Sequence, residues 1–155
     1  MPLPTRQVDL VAYDQLGQPV LLAEIKSTHQ TSDVWAARFR RNLLAHGTLP
    51  RAPFFLIATP DHMYFWRQED SSPKEEPPQF TLDAKRELKP YFERFRQTPE
   101  MTRGQALELI LVSWLVDLAQ SGESKAQRDP SLNWLSESGL LDALRSARIE
   151  ASPLQ

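Results

Sequence analysis

Three residues near the start of the chain have side chains suited to metal-assisted hydrolysis: Asp9, Glu24 and Lys26. Two carboxylates that meet can hold a hard divalent cation, whose oxygen ligands sit at roughly 2.0–2.6 Å. Such a cation lowers the pKa of bound water and offsets charge on a phosphate under attack. An ammonium beside it can position the water or stabilise the pentacoordinate state. Glu24 and Lys26 are two residues apart, so on a strand they share a face while Ile25 points into the other layer.

The elements that must position these residues are legible as hydrophobic runs. Val8 to Tyr13 reads as one strand, closed by the turn cluster Asp14-Gln15-Leu16-Gly17, and Val20 to Ile25 as a second strand, apolar on both faces. A two-residue turn with Asp14 facing Gly17 sets Asp9 opposite Leu22 and diagonal to Glu24. A three-residue loop turns Asp9 to the other face unless a bulge corrects it. Ser32 is suited to cap a helix with the stripe Trp35, Phe39 and Leu43, stopped near Gly47. Phe54 to Ala58 and Met63 to Arg67 then read as a further pair of strands.

Asp9 followed by Glu24-Ile25-Lys26 resembles the signature of the PD-(D/E)XK superfamily of restriction-endonuclease-like nucleases. The resemblance covers about residues 6–67. It implies an α/β fold with a mixed β-sheet core (β-β-α-β-β) flanked by helices, and hydrolysis of phosphodiester bonds in DNA. It also implies Mg²⁺ or Mn²⁺ held by Asp9, Glu24 and the backbone carbonyl of Ile25, with Lys26 as the catalytic lysine. Val8 stands where the family's proline stands. The family's leading helix, which often lends another acid, has no counterpart in the eight residues before Asp9, so either that helix is absent or a C-terminal helix fills its place.

Glu-x-Lys alone is a weak signal, because Glu87-Leu88-Lys89 and Glu123-Ser124-Lys125 repeat it. The first falls in an expected helix, where i and i+2 diverge, and the second in an expected polar loop. Only the copy at residue 24 has a strand context and a preceding acid; its bland alternative is a salt bridge at a strand end. Arg38, Arg40 and Arg41 are candidate phosphate contacts on the polar side of their helix, and Gln30 a candidate substrate or water contact. Each has an ordinary alternative, a solvated helix face for the arginines and loop filler for Gln30. Tyr64 and Trp66 alternate on a strand and would stack bases if exposed. His29, His46 and His62 lack metal-ligand spacing, which leaves surface or structural roles as their reading.

Residues 1–68 are read as the nuclease-like core and 69–80 as a proline-rich loop or linker. Residues 81–150 are read as a helical segment packing on that core. Within it, helices are expected at Asp83 to Arg96, Gln105 to Ala119 and Leu132 to Leu144, the last interrupted by Gly139. The apolar positions of these helices suit a homodimer or a subunit of a larger complex. With no cysteine in the chain, disulfides, thiolate zinc sites and cysteine nucleophiles are excluded. The net charge of −2 argues against coating nucleic acid through bulk charge. Residues 1–67 carry seven Lys/Arg against five Asp/Glu, so a nucleic-acid surface belongs in that half. No apolar run is long enough for a membrane span or a signal peptide, and a cytoplasmic setting is expected. The runner-up reading is a catalytically inactive module of the same fold that binds nucleic acid or a protein partner.

Overall fold

The computed structural model describes residues 8–47, 49–68 and 72–151. The chain runs β1 (Leu10–Tyr13), β2 (Pro19–Ile25), α1 (Asp33–His46), β3 (Phe54–Ala58), β4 (His62–Arg67) and β5 (Phe80–Asp83). It continues through α2 (Ala84–Glu87), α3 (Lys89–Arg94), α4 (Gly104–Arg128), a 3-10 turn at Pro130–Leu132, α5 (Asn133–Glu137), α6 (Leu140–Leu144) and β6 (Arg148–Ala151). The result is a mixed α/β architecture, with a six-stranded sheet in the order β5-β4-β3-β2-β1-β6. Among the described residues, only β2 and β3 pair in parallel, joined through α1; the other neighbours are antiparallel. Helices cover both faces. Among the described residues, no helix is long and apolar enough to cross a membrane.

Strand alternation explains why β2 and β3 are apolar on both sides. Leu21, Ala23, Ile25, Phe54, Leu56 and Ala58 face a core built with Leu107, Leu111, Trp114 and Leu115 of α4. Leu22, Phe55 and Ile57 face a second core with Ala36 and Leu43 of α1. Burying a side chain of this size contributes about 1.5–3 kcal/mol, so the two-sided burial stabilises the central strands most. Tyr64 and Trp66 point into the α1 layer and are each 1% exposed, which removes them as base-stacking platforms.

The first hairpin differs from the two-residue turn. Asp14 N–H donates to Gln18 O at 2.9 Å, leaving a three-residue loop in which Gly17 takes φ +80°. This left-handed conformation is cheap for glycine and closes such loops. Tyr13 then pairs with Pro19 but Ala12 with Leu21, so Val20 is bulged out. The bulge restores the parity that the longer loop removes. Continued one step past Leu10–Ala23, the register sets Asp9 opposite Glu24 rather than Leu22. β1 itself starts at Leu10, with Asp9 in the bend before it.

The C-terminal half departs further from expectation. Glu69 to Ser71 of the expected loop lie outside the described residues; 72–79 form neither helix nor strand, and Phe80 already begins β5. The expected helix from Asp83 to Arg96 is two short helices that meet at Leu88 (φ −95°, ψ 3°), with Pro90 in the first turn of α3 supplying no donor. Helix α4 runs nine residues past Ala119, so Glu123 and Lys125 are helical rather than in a loop. Its geometry breaks at Ser121 (φ −147°, ψ 29°), beside Gly122. A Cβ on Gly122 would lie 2.8 Å from Leu141 Cδ2, so the glycine lets α6 approach. Gly139, at φ +90°, separates α5 from α6. β6 then returns to the sheet beside β1, a pairing the sequence pattern does not announce.

A carboxyl pair links α2 to the end of α4. Ser131 Oγ lies 2.9 Å from Glu87 Oε1 and 2.7 Å from Asp129 Oδ1. A hydroxyl has one proton to donate, so Ser131 serves only one of the two carboxyl groups at a time. Burial, foremost, pushes Glu87 upward, with the Asp129 charge adding to it, while the Ser131 hydroxyl holds Asp129 below the usual range. A raised folded-state pKa stabilises fully only below the unfolded value and is lost as pH rises through the folded value. Glu87→Gln is therefore expected to raise the thermal unfolding midpoint at pH 7 by about 2 °C, and to lose that advantage near pH 4. Thermal melts of both proteins at the two pH values check this.

Candidate functional site

Asp9, Glu24 and Lys26 come together at one end of the sheet, where β1 begins and β2 finishes. Asp9 N–H donates to Glu24 Oε1 at 3.2 Å, and Ile25 N–H donates to Asp9 Oδ2 at 2.8 Å. Each carboxylate thus holds the other's strand. Because the N–H and C=O of one strand residue point to the same side, the Ile25 carbonyl also faces β1. Glu24 is 3% exposed, in a row with Ile57, Tyr64 and Thr81 on the α1 face. Lys26 reaches toward α1 with Nζ 5.1 Å from the Phe39 ring centre, while its N–H donates to Ala58 O at 2.9 Å.

A further acid was not singled out from the sequence. Glu108 of α4 is half-buried, and burial followed by the Asp9 charge pushes its carboxyl upward. A third carboxylate thus lies within electrostatic range of Asp9, from the C-terminal helix. The available signal was an acid next to Leu107 on a strongly apolar helix. Among the described residues, no three or more His, Asp or Glu side chains form a group able to hold a metal ion.

The loop from β2 into α1 is pinned at several points. Asp61, at the β3–β4 turn, accepts from Gln30 N–H at 3.3 Å and lies 3.4 Å from His29 Nδ1 and 3.5 Å from Lys85 Nζ. Burial alone would raise Asp61, but the Gln30 N–H, Lys85 and His29 together hold it below the usual carboxylate range. Gln30 itself has φ +58°, a conformation costly for a residue with a Cβ. Thr31 Oγ1 and Tyr64 Oη lie 2.7 Å apart, and burial raises the Tyr64 phenol.

The arginines do not form one phosphate-binding face. Arg40 is 2% exposed, and its Nε and Nη2 donate to Gln68 Oε1 at 3.1 and 2.6 Å. Its guanidinium lies over Phe55 and Trp66, so it belongs to the core under α1. The sequence pattern placed it on the wet side; the structure corrects that. Arg38 and Arg41 do face outward and both meet Glu75, at 3.6 and 3.0 Å.

No family model matches this chain, and neither the curated proteins nor the solved structures contain a match. The site therefore has to be read from its own chemistry.

Proposed function

We propose that the chain is a divalent-metal-dependent nuclease on a restriction-endonuclease-like core, hydrolysing phosphodiester bonds in DNA. The observation that carries this reading is the meeting of Asp9 with Glu24 and Ile25 at one end of the sheet, directly before Lys26 in the chain. The donor set consists of hard oxygens, which suits Mg²⁺ or Mn²⁺. Asp9 Oδ2 is held by Ile25 N–H, so Asp9 is oriented with Oδ1 beyond that bond. Asp9, Glu24 and the Ile25 carbonyl would hold the ion, with Glu108 near enough to Asp9 to add charge. When bound, the cation supplies an activated water and offsets phosphate charge. Lys26, anchored through its N–H to β3 and with its Nζ 5.1 Å from the Phe39 ring centre, would supply the ammonium that meets the phosphate or the water.

The test is calorimetric titration with Mn²⁺. Wild type is expected to bind at one site, and the Asp9→Asn, Glu24→Gln double variant to lose that binding while keeping its unfolding midpoint. Amide variants are preferable to alanine, since Ile25 N–H would lose its acceptor in Asp9→Ala at a cost of about 1–3 kcal/mol.

A second reading also rests on a specific observation. Both carboxylates already serve main-chain N–H groups, as expected of a structural clasp in a non-catalytic module that binds nucleic acid or a protein. Folded wild type that neither binds Mn²⁺ nor cleaves DNA would select it.

A further inference from the structure

We infer that His29 is the acid that protonates the leaving oxygen in this reaction, with Asp61 as the residue that orients it; the inference rests on the nuclease reading above. His29 follows Lys26 by three residues, so its Cα lies within about 10 Å of the lysine's. The ring is 38% exposed, and its Nδ1 lies 3.4 Å from Asp61 Oδ2, which is itself only 16% exposed. With Nδ1 beside the Asp61 carboxylate, Nε2 is the ring nitrogen left to hand over a proton.

Asp61 is well placed to hold the ring steady. The same Oδ2 accepts from Gln30 N–H, and Oδ1 lies 3.5 Å from Lys85 Nζ, which also reaches Glu100 at 3.8 Å. The left-handed Gln30 fixes the course of the loop immediately after His29, and the Thr31–Tyr64 contact anchors the next residue to β4. A backbone strained at that point and tied down on both sides suits a loop that must hold one side chain in one place. Lys26 and His29 then divide the work, the first serving the attacked phosphate and the second the departing oxygen.

The step balances without a further reactant. The water oxygen forms the new bond to phosphorus and its spare proton goes to solvent. The bond from phosphorus to the leaving oxygen breaks with its electron pair, and that oxygen takes the proton from His29 Nε2. His29, left neutral with its proton on Nδ1 toward Asp61, is recharged from solvent.

Two measurements test this. The first compares His29→Gln with wild type in Mn²⁺ on ordinary DNA and on DNA whose bridging leaving oxygen is replaced by sulfur, a leaving group that needs no proton. The variant is expected to be slower by about 10²-fold on ordinary DNA and within about threefold of wild type on the sulfur substrate. An equal deficit on both substrates, or none on either, overturns the role while leaving the nuclease reading in place. Wild type that cleaves neither substrate overturns both. The second measurement is the ¹⁵N spectrum of the His29 ring in metal-free wild type, at a pH where the ring is neutral. The Nδ1–H tautomer is expected, shifting toward Nε2–H in Asp61→Asn; an Nε2–H tautomer in wild type overturns the orienting role.

Discussion

On the proposed nuclease reading, replacing Lys26 by methionine is expected to slow DNA cleavage by about 10²–10³-fold while leaving Mn²⁺ binding and the unfolding midpoint nearly unchanged. Methionine keeps an unbranched apolar chain and removes the ammonium that lies 5.1 Å from the Phe39 ring centre. A purely structural lysine would behave differently. A partly exposed cation–π contact contributes about 0.5–1 kcal/mol, so its loss would lower stability slightly and leave turnover alone. Single-turnover cleavage, read beside thermal melts and calorimetry, separates the two cases. A variant that cleaves at the wild-type rate removes Lys26 from the chemistry.

Arg40→Ala is expected to cost about 3 kcal/mol of folding stability, the largest loss among the arginines of α1. The guanidinium is 2% exposed, gives two hydrogen bonds to Gln68 Oε1 and lies over two aromatic rings. Truncation leaves a void between Phe55 and Trp66 and removes both donors from Gln68, whose own amide is committed to Ala52 O at 3.0 Å. Arg38→Ala and Arg41→Ala each remove an exposed ion pair with Glu75 and are expected to cost less than about 1 kcal/mol. Urea unfolding of the three variants ranks them. An Arg40 variant no less stable than the other two would mean that the ring contacts and the Gln68 bonds contribute little.

The contrast shows what the sequence could and could not tell. β2, β3 and β4 were legible because two-sided burial demands continuous apolar runs, and α1 because its cap and stripe are local signals. The meeting of Asp9 with Glu24 was foreseeable only up to parity, since the turn length and the Val20 bulge are set by backbone geometry. Arg40 sat among polar neighbours in the helical pattern, and nothing local indicated that Gln68 and Trp66 would enclose it. β6 has the pattern of an exposed edge, with only Ile149 partly buried, so hydropathy carried little sign of it. Glu108 and the His29–Asp61 pair depend on tertiary neighbours from other elements, which spacing along the chain cannot reveal.

The hairpin also makes the site sensitive to the arithmetic of insertion. Loop 15–17 and the extra residue at Val20 each shift the ladder by one step, and the two shifts combine to set Asp9 opposite Glu24. Lengthening or shortening this stretch by one residue inverts every side chain of β1 relative to β2, while a change of two slides the acids past each other on the same face. Substitution of the exposed Leu16 leaves this register alone, whereas a change in length needs a compensating step. A lone deletion there would part Asp9 from Glu24 as surely as the loss of a carboxylate, with both residues still in the gene.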